Sequence, residues 1–268
     1  MLEISNISWL RTGLTMCAQV LTVLFAVWST PTIASERCTA FLASGVDYWY
    51  PYVYRNEEGA LTGVLVEAVQ QSLSSTGVAV ELMPSTPWKR ILLQLERGEI
   101  DIVLGAYWNA ERAKRFLYSV PVVSEELRVF VKAGTEFPLS SFDDLKGRQG
   151  LLLRGGSMGE KFDRYAEKNL TIARVTSSDQ MLRMISLGRV DFGILGYQEG
   201  LHLLKQLGKS KEVVPLDWPL LVNDLHIMMN KNCAPHIKTL NDGIERLRRQ
   251  GDIIRLEQKH RQLEWGGN

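Results

Sequence analysis

One phrase occurs twice in this chain and limits its architecture more than any other feature. Gly98-Glu99-Ile100-Asp101 returns ninety residues later as Gly188-Arg189-Val190-Asp191, and a tyrosine stands six residues beyond each aspartate, Tyr107 and Tyr197. Before the first copy, Trp88, Ile91, Leu92 and Leu95 fall at i, i+3, i+4 and i+7, one face of a helix. Before the second, Met181, Leu182 and Ile185 make a similar face, and Ser178 stands where an N-cap belongs. Each glycine stops its helix. Residues 100–104 and 190–195 follow as apolar runs of strand length. Helix–glycine–strand units alternating in this way predict α/β layers with largely parallel strands. Two copies so far apart predict two doubly wound α/β lobes rather than one long sheet.

The flanking segments fit that frame. Val64, Leu65, Ala68, Val69 and Leu73 have helical spacing, and residues 78–83 alternate like a strand. Leu127, Val129 and Val131 alternate too, Ser141 caps a short turn before Leu145, and 150–153 is an apolar strand. Residues 160–168 read as a helix and 225–229 as a strand, and Ile237, Leu240, Ile244 and Leu247 form the face of a final helix. The 268 residues suffice for two lobes of about 100–130 residues each. Lys plus Arg is 31 and Asp plus Glu is 30, a net charge of +1, which argues against a nucleic-acid partner. Arg246, Arg248 and Arg249 read as a solvated helix face.

The first 35 residues read as a secretion signal. Arg11 supplies positive charge, an apolar run extends from Leu14 to Trp28, and Thr32-Ile33-Ala34 offers small residues for cleavage. The run is shorter than the roughly 20 residues of a comfortable membrane span; an uncleaved anchor is the other reading. Export leaves Cys38 and Cys233 in an oxidising compartment, as a disulfide or as two separate thiols. His202, His226, His236 and His260 share no ligand-like spacing, so no metal or other cofactor is expected.

The chemistry that can be read is binding chemistry. Gly155-Gly156-Ser157-Met158-Gly159 fits G-x-S-x-G between a strand and a helix. As a hydrolase elbow it would make Ser157 a nucleophile, with Asp191 as the acid and His226, His236 or His260 as the base. Upstream there is no glycine-rich oxyanion segment beginning with histidine. Alternatively, a glycine-rich turn opening a helix presents backbone N–H groups, and Ser157 a hydroxyl, to a carboxylate. Asn109 is a plausible N-cap, which puts Arg112 in a first helical turn. A cation is unfavourable there unless it grips an anion; a surface arginine paired with Glu111 is the other reading. Trp49, Tyr50, Tyr52, Trp88, Tyr107 and Trp108 lie near strand ends, and Pro51 interrupts the first cluster, as suits a loop lining a cleft.

The order and spacing of these markers resemble the family-3 type II periplasmic solute-binding proteins, the amino-acid-binding components of ABC importers. The likeness covers about residues 40–262. It rests on Tyr50-Pro51-Tyr52, Gly59, Gly63 and Glu67, the two repeated phrases, Glu111-Arg112 with Tyr118-Ser119-Val120-Pro121, Leu145-Lys146-Gly147, Gly155-Gly156-Ser157, and Gly251 in the final helical region. The resemblance implies two lobes with a two-crossing hinge, lobe 1 from 36–122 plus 225–268 and lobe 2 from 123–224. It implies that Arg112 holds a ligand carboxylate while Ser157 and the backbone around Gly156 close on it. Trp49, Trp88 and Tyr107 would line the pocket, with Tyr197 beside it. The implied partners are a small carboxylate ligand and an inner-membrane ABC permease, the implied location is the periplasm, and a monomer is expected.

One departure stands out. Such proteins commonly place an aspartate for the ligand's ammonium at the end of the second repeated strand, where this chain has Gly196. Either another acid such as Glu199 substitutes, or the ligand is not an ordinary α-amino acid. Two other functions stay open: an enzyme on the same scaffold, similar to cyclohexadienyl dehydratase, and a sensing module that docks on a membrane partner.

Overall fold

The computed structural model describes residue 38, residues 40–74 and residues 77–262. The secretion signal expected over 1–35 lies outside the described residues. No described helix is long and apolar enough to cross a membrane.

The repeated phrases each end a parallel strand group. β1 (Ala40–Ser44) lies between β5 (Ala79–Leu82) and β6 (Ile102–Tyr107), parallel to both. Likewise β9 (Gln149–Leu153) lies between β10 (Thr171–Val175) and β11 (Phe192–Gly196), again parallel. The expected parallel strands are therefore present within each group. The groups are not two separate sheets, however. β8 (Val123–Lys132) and β13 (Leu221–Met229) pair antiparallel with each other, β8 with β11 and β13 with β6. With β7 (Leu117–Tyr118) on β13 and β12 (Val213–Pro215) on β8, one mixed sheet of ten strands results among the described residues, while β2 (Tyr48–Trp49), β3 (Val53–Arg55) and β4 (Leu61–Thr62) form a small separate sheet. β8 and β13 can bridge the groups because they are ten and nine residues long, enough to pair on both sides.

The two copies share their scaffold in detail. The helix Trp88–Arg97 ends at Gly98, whose left-handed φ of 69° lets its N–H turn back onto the last carbonyls. Gly188 follows the helix Ser178–Ser186 with φ 66°. Each aspartate then ties its strand to the parallel neighbour. The Leu42 N–H donates to Asp101 Oδ2 at 3.0 Å, and the Gln149 N–H donates to Asp191 Oδ2 at 2.6 Å. Each helix packs on its own core: Ile91 and Leu95 against Val103, Ala106 and Met228; Met181, Leu182 and Ile185 against Phe130, Leu151 and Leu195.

Two expectations shift. The second repeat's N-cap is Ser177, whose hydroxyl accepts from the Gln180 N–H; Ser178 begins the helix, and its hydroxyl turns inward. The helix Ile237–Arg249 is not the last, because Gly251, at φ 74°, allows a turn into a further helix, Asp252–Gln262. Cys38 and Cys233 form a disulfide, with Cα atoms 6.0 Å apart across 195 residues of sequence. It joins Cys38, just ahead of β1, to the short helical stretch after β13.

Candidate functional site

The C-terminal ends of β6, β9 and β11 converge on a cleft of about 150 Å³. That is the size of a cavity that admits a benzene-sized body. Its walls are mainly apolar and aromatic, with Trp49, Trp88, Tyr107, Leu127 and Ile194 among them.

Arg112 enters from the short helix Ala110–Ala113. Asn109 caps that helix, its side chain accepting from the Arg112 N–H at 3.1 Å. Arg112 is only 8% exposed. Its Nη2 donates to the Gly155 carbonyl at 2.9 Å, and its guanidinium lies 5.3 Å from the Trp88 ring centroid. Trp88 Nε1 donates to the same carbonyl at 3.1 Å. Burial pulls the Arg112 pKa below its ordinary value, against the opposing effects of Tyr118 and Asp163. Glu111 pairs with Lys114, not with Arg112. Among the described residues no carboxylate lies within ion-pair distance of Arg112.

The glycine-rich loop faces Arg112 but uses much of its own polarity internally. The Ser157 hydroxyl donates to Asp163, in the first turn of the helix Glu160–Asn169, and accepts from the Gly159 N–H at 3.2 Å. The Met158 N–H donates to Asp163 Oδ1 at 2.9 Å, and the Gly156 N–H to the Leu153 carbonyl at 3.2 Å. Gly156 and Ser157 line the cleft, yet no histidine does. His226 bonds the Ser119 carbonyl, His260 bonds Glu67 and Tyr54, His236 meets Phe41, and His202 stacks on Tyr50. A nucleophilic role for Ser157 therefore lacks its base.

Two acids stand at the cleft floor, Glu199 in its lining and Glu125 behind the lining residues Trp49, Tyr107 and Gly196. Glu125, on β8, is 1% exposed, and Glu199, near the start of the helix Tyr197–Gln206, is 5% exposed. Trp49 Nε1 donates to both Glu125 oxygens at 3.1 Å, and the Tyr107 hydroxyl donates to Glu125 Oε2. Trp49 also meets Tyr107 edge to face, with centroids 5.5 Å apart. Glu199 accepts from the Ser178 hydroxyl. Burial pushes Glu125 up to about 8, with the Glu199 charge adding to it and the Tyr107 and Trp49 donors opposing it. Burial pushes Glu199 up to about 7, opposed by Ser178. Gly196 is what makes room for Glu125, because a Cβ there would overlap the Glu125 Oε1.

Of the residues expected to gather, Trp49, Trp88, Tyr107, Arg112, Gly156 and Ser157 line the cleft. Tyr197 is not among its lining; its ring lies under the Arg128 guanidinium at 4.2 Å. Glu125 was not anticipated. Its signal was available, since it stands between Val123 and Leu127 on the buried face of an alternating strand, where a charge needs a reason.

A family model described as "Bacterial extracellular solute-binding proteins, family 3" matches residues 42–262. The L-cystine-binding protein TcyJ of Escherichia coli K12 is 26% identical over 229 residues, 84% of this chain and 83% of that protein. The cyclohexadienyl dehydratase of Pseudomonas aeruginosa is 29% identical over 168 residues, 59% of this chain and 60% of that enzyme. Among solved structures, an ancestral arginine-binding protein bound to arginine superposes with a TM-score of 0.71 at 21% identity, covering 85% of this chain and 99% of that one.

Proposed function

Because the chain belongs to the bacterial extracellular solute-binding proteins of family 3, we propose that it captures a small carboxylate-bearing ligand, an amino acid or analogue, and hands it to an ABC permease. The observation that carries this reading is Arg112, a buried guanidinium facing the cleft without a carboxylate partner among the described residues. Burying a charge is costly unless it is paired, and a ligand carboxylate supplies the pair in bidentate geometry. Trp49, Trp88 and Tyr107 suit an apolar or aromatic ligand body. The Ser157 hydroxyl reaches the ligand only by leaving Asp163.

The lobes in this reading are 36–122 plus 225–268 and 123–224, with β8 and β13 as the crossings. Their antiparallel pairing between the two parallel groups supports that division. The ligand favours closure because both lobes touch it only in the closed state. Residues 1–35 direct the chain to the periplasm, where it acts as a monomer and without a cofactor.

A thermal-shift screen of amino acids and simple carboxylates tests the reading. A ligand at 100 times its Kd adds about 2.7 kcal/mol of stability. Arg112→Ala should weaken binding by about 2–5 kcal/mol, roughly 30-fold or more. A hit that survives Arg112→Ala sinks the anchor assignment.

A second reading has one observation in its favour. Glu199 is a desolvated carboxyl in an apolar cleft with a pKa pushed up to about 7, as a general acid needs. Turnover of a cyclohexadienyl acid by the purified protein, lost in Glu199→Gln, would replace capture with catalysis.

A further inference from the structure

Two buried carboxyl groups lie at the floor of the cleft, Glu199 in its lining and Glu125 behind Trp49, Tyr107 and Gly196, and among the described residues no basic side chain pairs with either. Lys89, Arg112 and Arg154 line the same cleft, but among the described residues none is within ion-pair distance of Glu125 or Glu199. Around Glu125 stand Trp49 from β2 (Tyr48–Trp49), Tyr107 from β6, Tyr52, and Gly196 at the end of β11. Its cross-strand neighbour on β13 is Asn223. Around Glu199 stand Ser178, Tyr48 and Tyr107. His202, one turn further along the Glu199 helix, stacks on Tyr50 with centroids 4.2 Å apart. Among the described residues the pair thus meets hydroxyls, an indole N–H and another acid, and no cation.

We propose that Glu199, backed by Glu125, is a proton-exchanging specificity element: a ligand carrying a cationic group settles against it and releases a proton, and a ligand carrying only a carboxylate does not. The inference rests on the cleft being the solute site. The geometry sets the direction. A buried carboxyl holds its proton because its charged form lacks solvation, and a second acid nearby strengthens that hold. The elevation of Glu125 to about 8 and Glu199 to about 7 agrees. An arriving cation favours the ionised form, so the complex binds fewer protons than the free protein. Affinity for a cationic ligand must then rise with pH, by up to about tenfold per unit for each proton released. The rise levels off above about pH 7, where Glu199 of the free protein has already lost its proton. Gly196 and Glu125 form one device here: the absent side chain is the space the second acid fills.

The first measurement needs no ligand. Carboxyl carbon NMR of glutamate-labelled wild type should show two side chains titrating above pH 6, one lost in Glu125→Gln and one in Glu199→Gln. All glutamates titrating below pH 5.5 would overturn the proposal. The second is calorimetry with L-arginine, L-glutamine and 3-phenylpropanoate in buffers of different ionisation enthalpy. For an amino acid that binds, about half a proton should leave at pH 7, affinity should rise roughly fivefold from pH 6 to 7, and Glu199→Gln should flatten that rise. For 3-phenylpropanoate, release should be absent. An amino acid bound without proton release and with a flat pH profile would also overturn the proposal. Failure of every probe to bind would instead sink the solute-binding reading, a result told apart from failure of the acid pair by the ligand-free spectrum.

Discussion

The two repeated units agree at one end of their strands and part at the other. At the start, Gly98 and Gly188 adopt the same left-handed turn, and Asp101 and Asp191 make the same bond to a parallel neighbour. At the far end, β6 finishes on Tyr107, whose hydroxyl donates to Glu125, while β11 finishes on Gly196, whose lack of a side chain admits Glu125. The same carboxyl thus touches both ends, once as an acceptor and once as an occupant. The repeat is a statement about the scaffold, where both units need the same turn and the same tether. The differences collect at the cleft, where the units have different tasks.

The sharpest test of that contrast is Gly196→Ala. The added methyl overlaps Glu125 and should cost about 3 kcal/mol, a fall of roughly 6–12 °C in Tm for a chain of this size. In a Glu125→Ala background the same substitution should cost far less, and additive costs in the double variant would break the contrast. A smaller effect is expected in the pH dependence. Glu199 holds its proton more tightly folded than unfolded, so its contribution to stability is full below the ordinary carboxylate range and is lost as pH rises through about 7. Ligand-free wild type should therefore lose on the order of 2 kcal/mol relative to Glu199→Gln between pH 5 and pH 8; parallel melting curves across that range would refute it. The scaffold ends should behave alike. Asp101→Ala should cost about 2 kcal/mol and the more exposed Asp191→Ala about 1 kcal/mol by urea unfolding. Smallest are Gly98→Ala and Gly188→Ala, about 1 kcal/mol each. A difference between them much above 0.5 kcal/mol would mean the two turns are not equivalent.

What could be read in advance follows the same division. Helix faces such as Ile91 and Leu95, or Met181, Leu182 and Ile185, are set by local periodicity, and they pack as their spacing predicts. Arg112 was legible because a cation in a first helical turn is locally wrong and demands an external reason. The N-cap slipped by one residue because Ser177 and Ser178 are both competent caps, and only the inward partner Glu199 decides between them. The joining of both parallel groups into one sheet depends on β8 and β13, which meet across a hundred residues of sequence and leave no local trace. Tyr197 matched its counterpart Tyr107 in sequence position, yet one ends a strand and the other begins a helix, so their rings point to different places. Glu125 needed knowledge of which strand face turns inward, and of the space beside Gly196.

The carbonyl of Gly155 already holds both the Arg112 guanidinium and the Trp88 indole. The loop that bears Gly155 therefore places Arg112 before anything else arrives, with one of its five N–H donors committed to a backbone oxygen. Under the proposed function, a carboxylate would meet a side chain whose rotamer freedom is already gone, a latch set in advance in place of a loose arm.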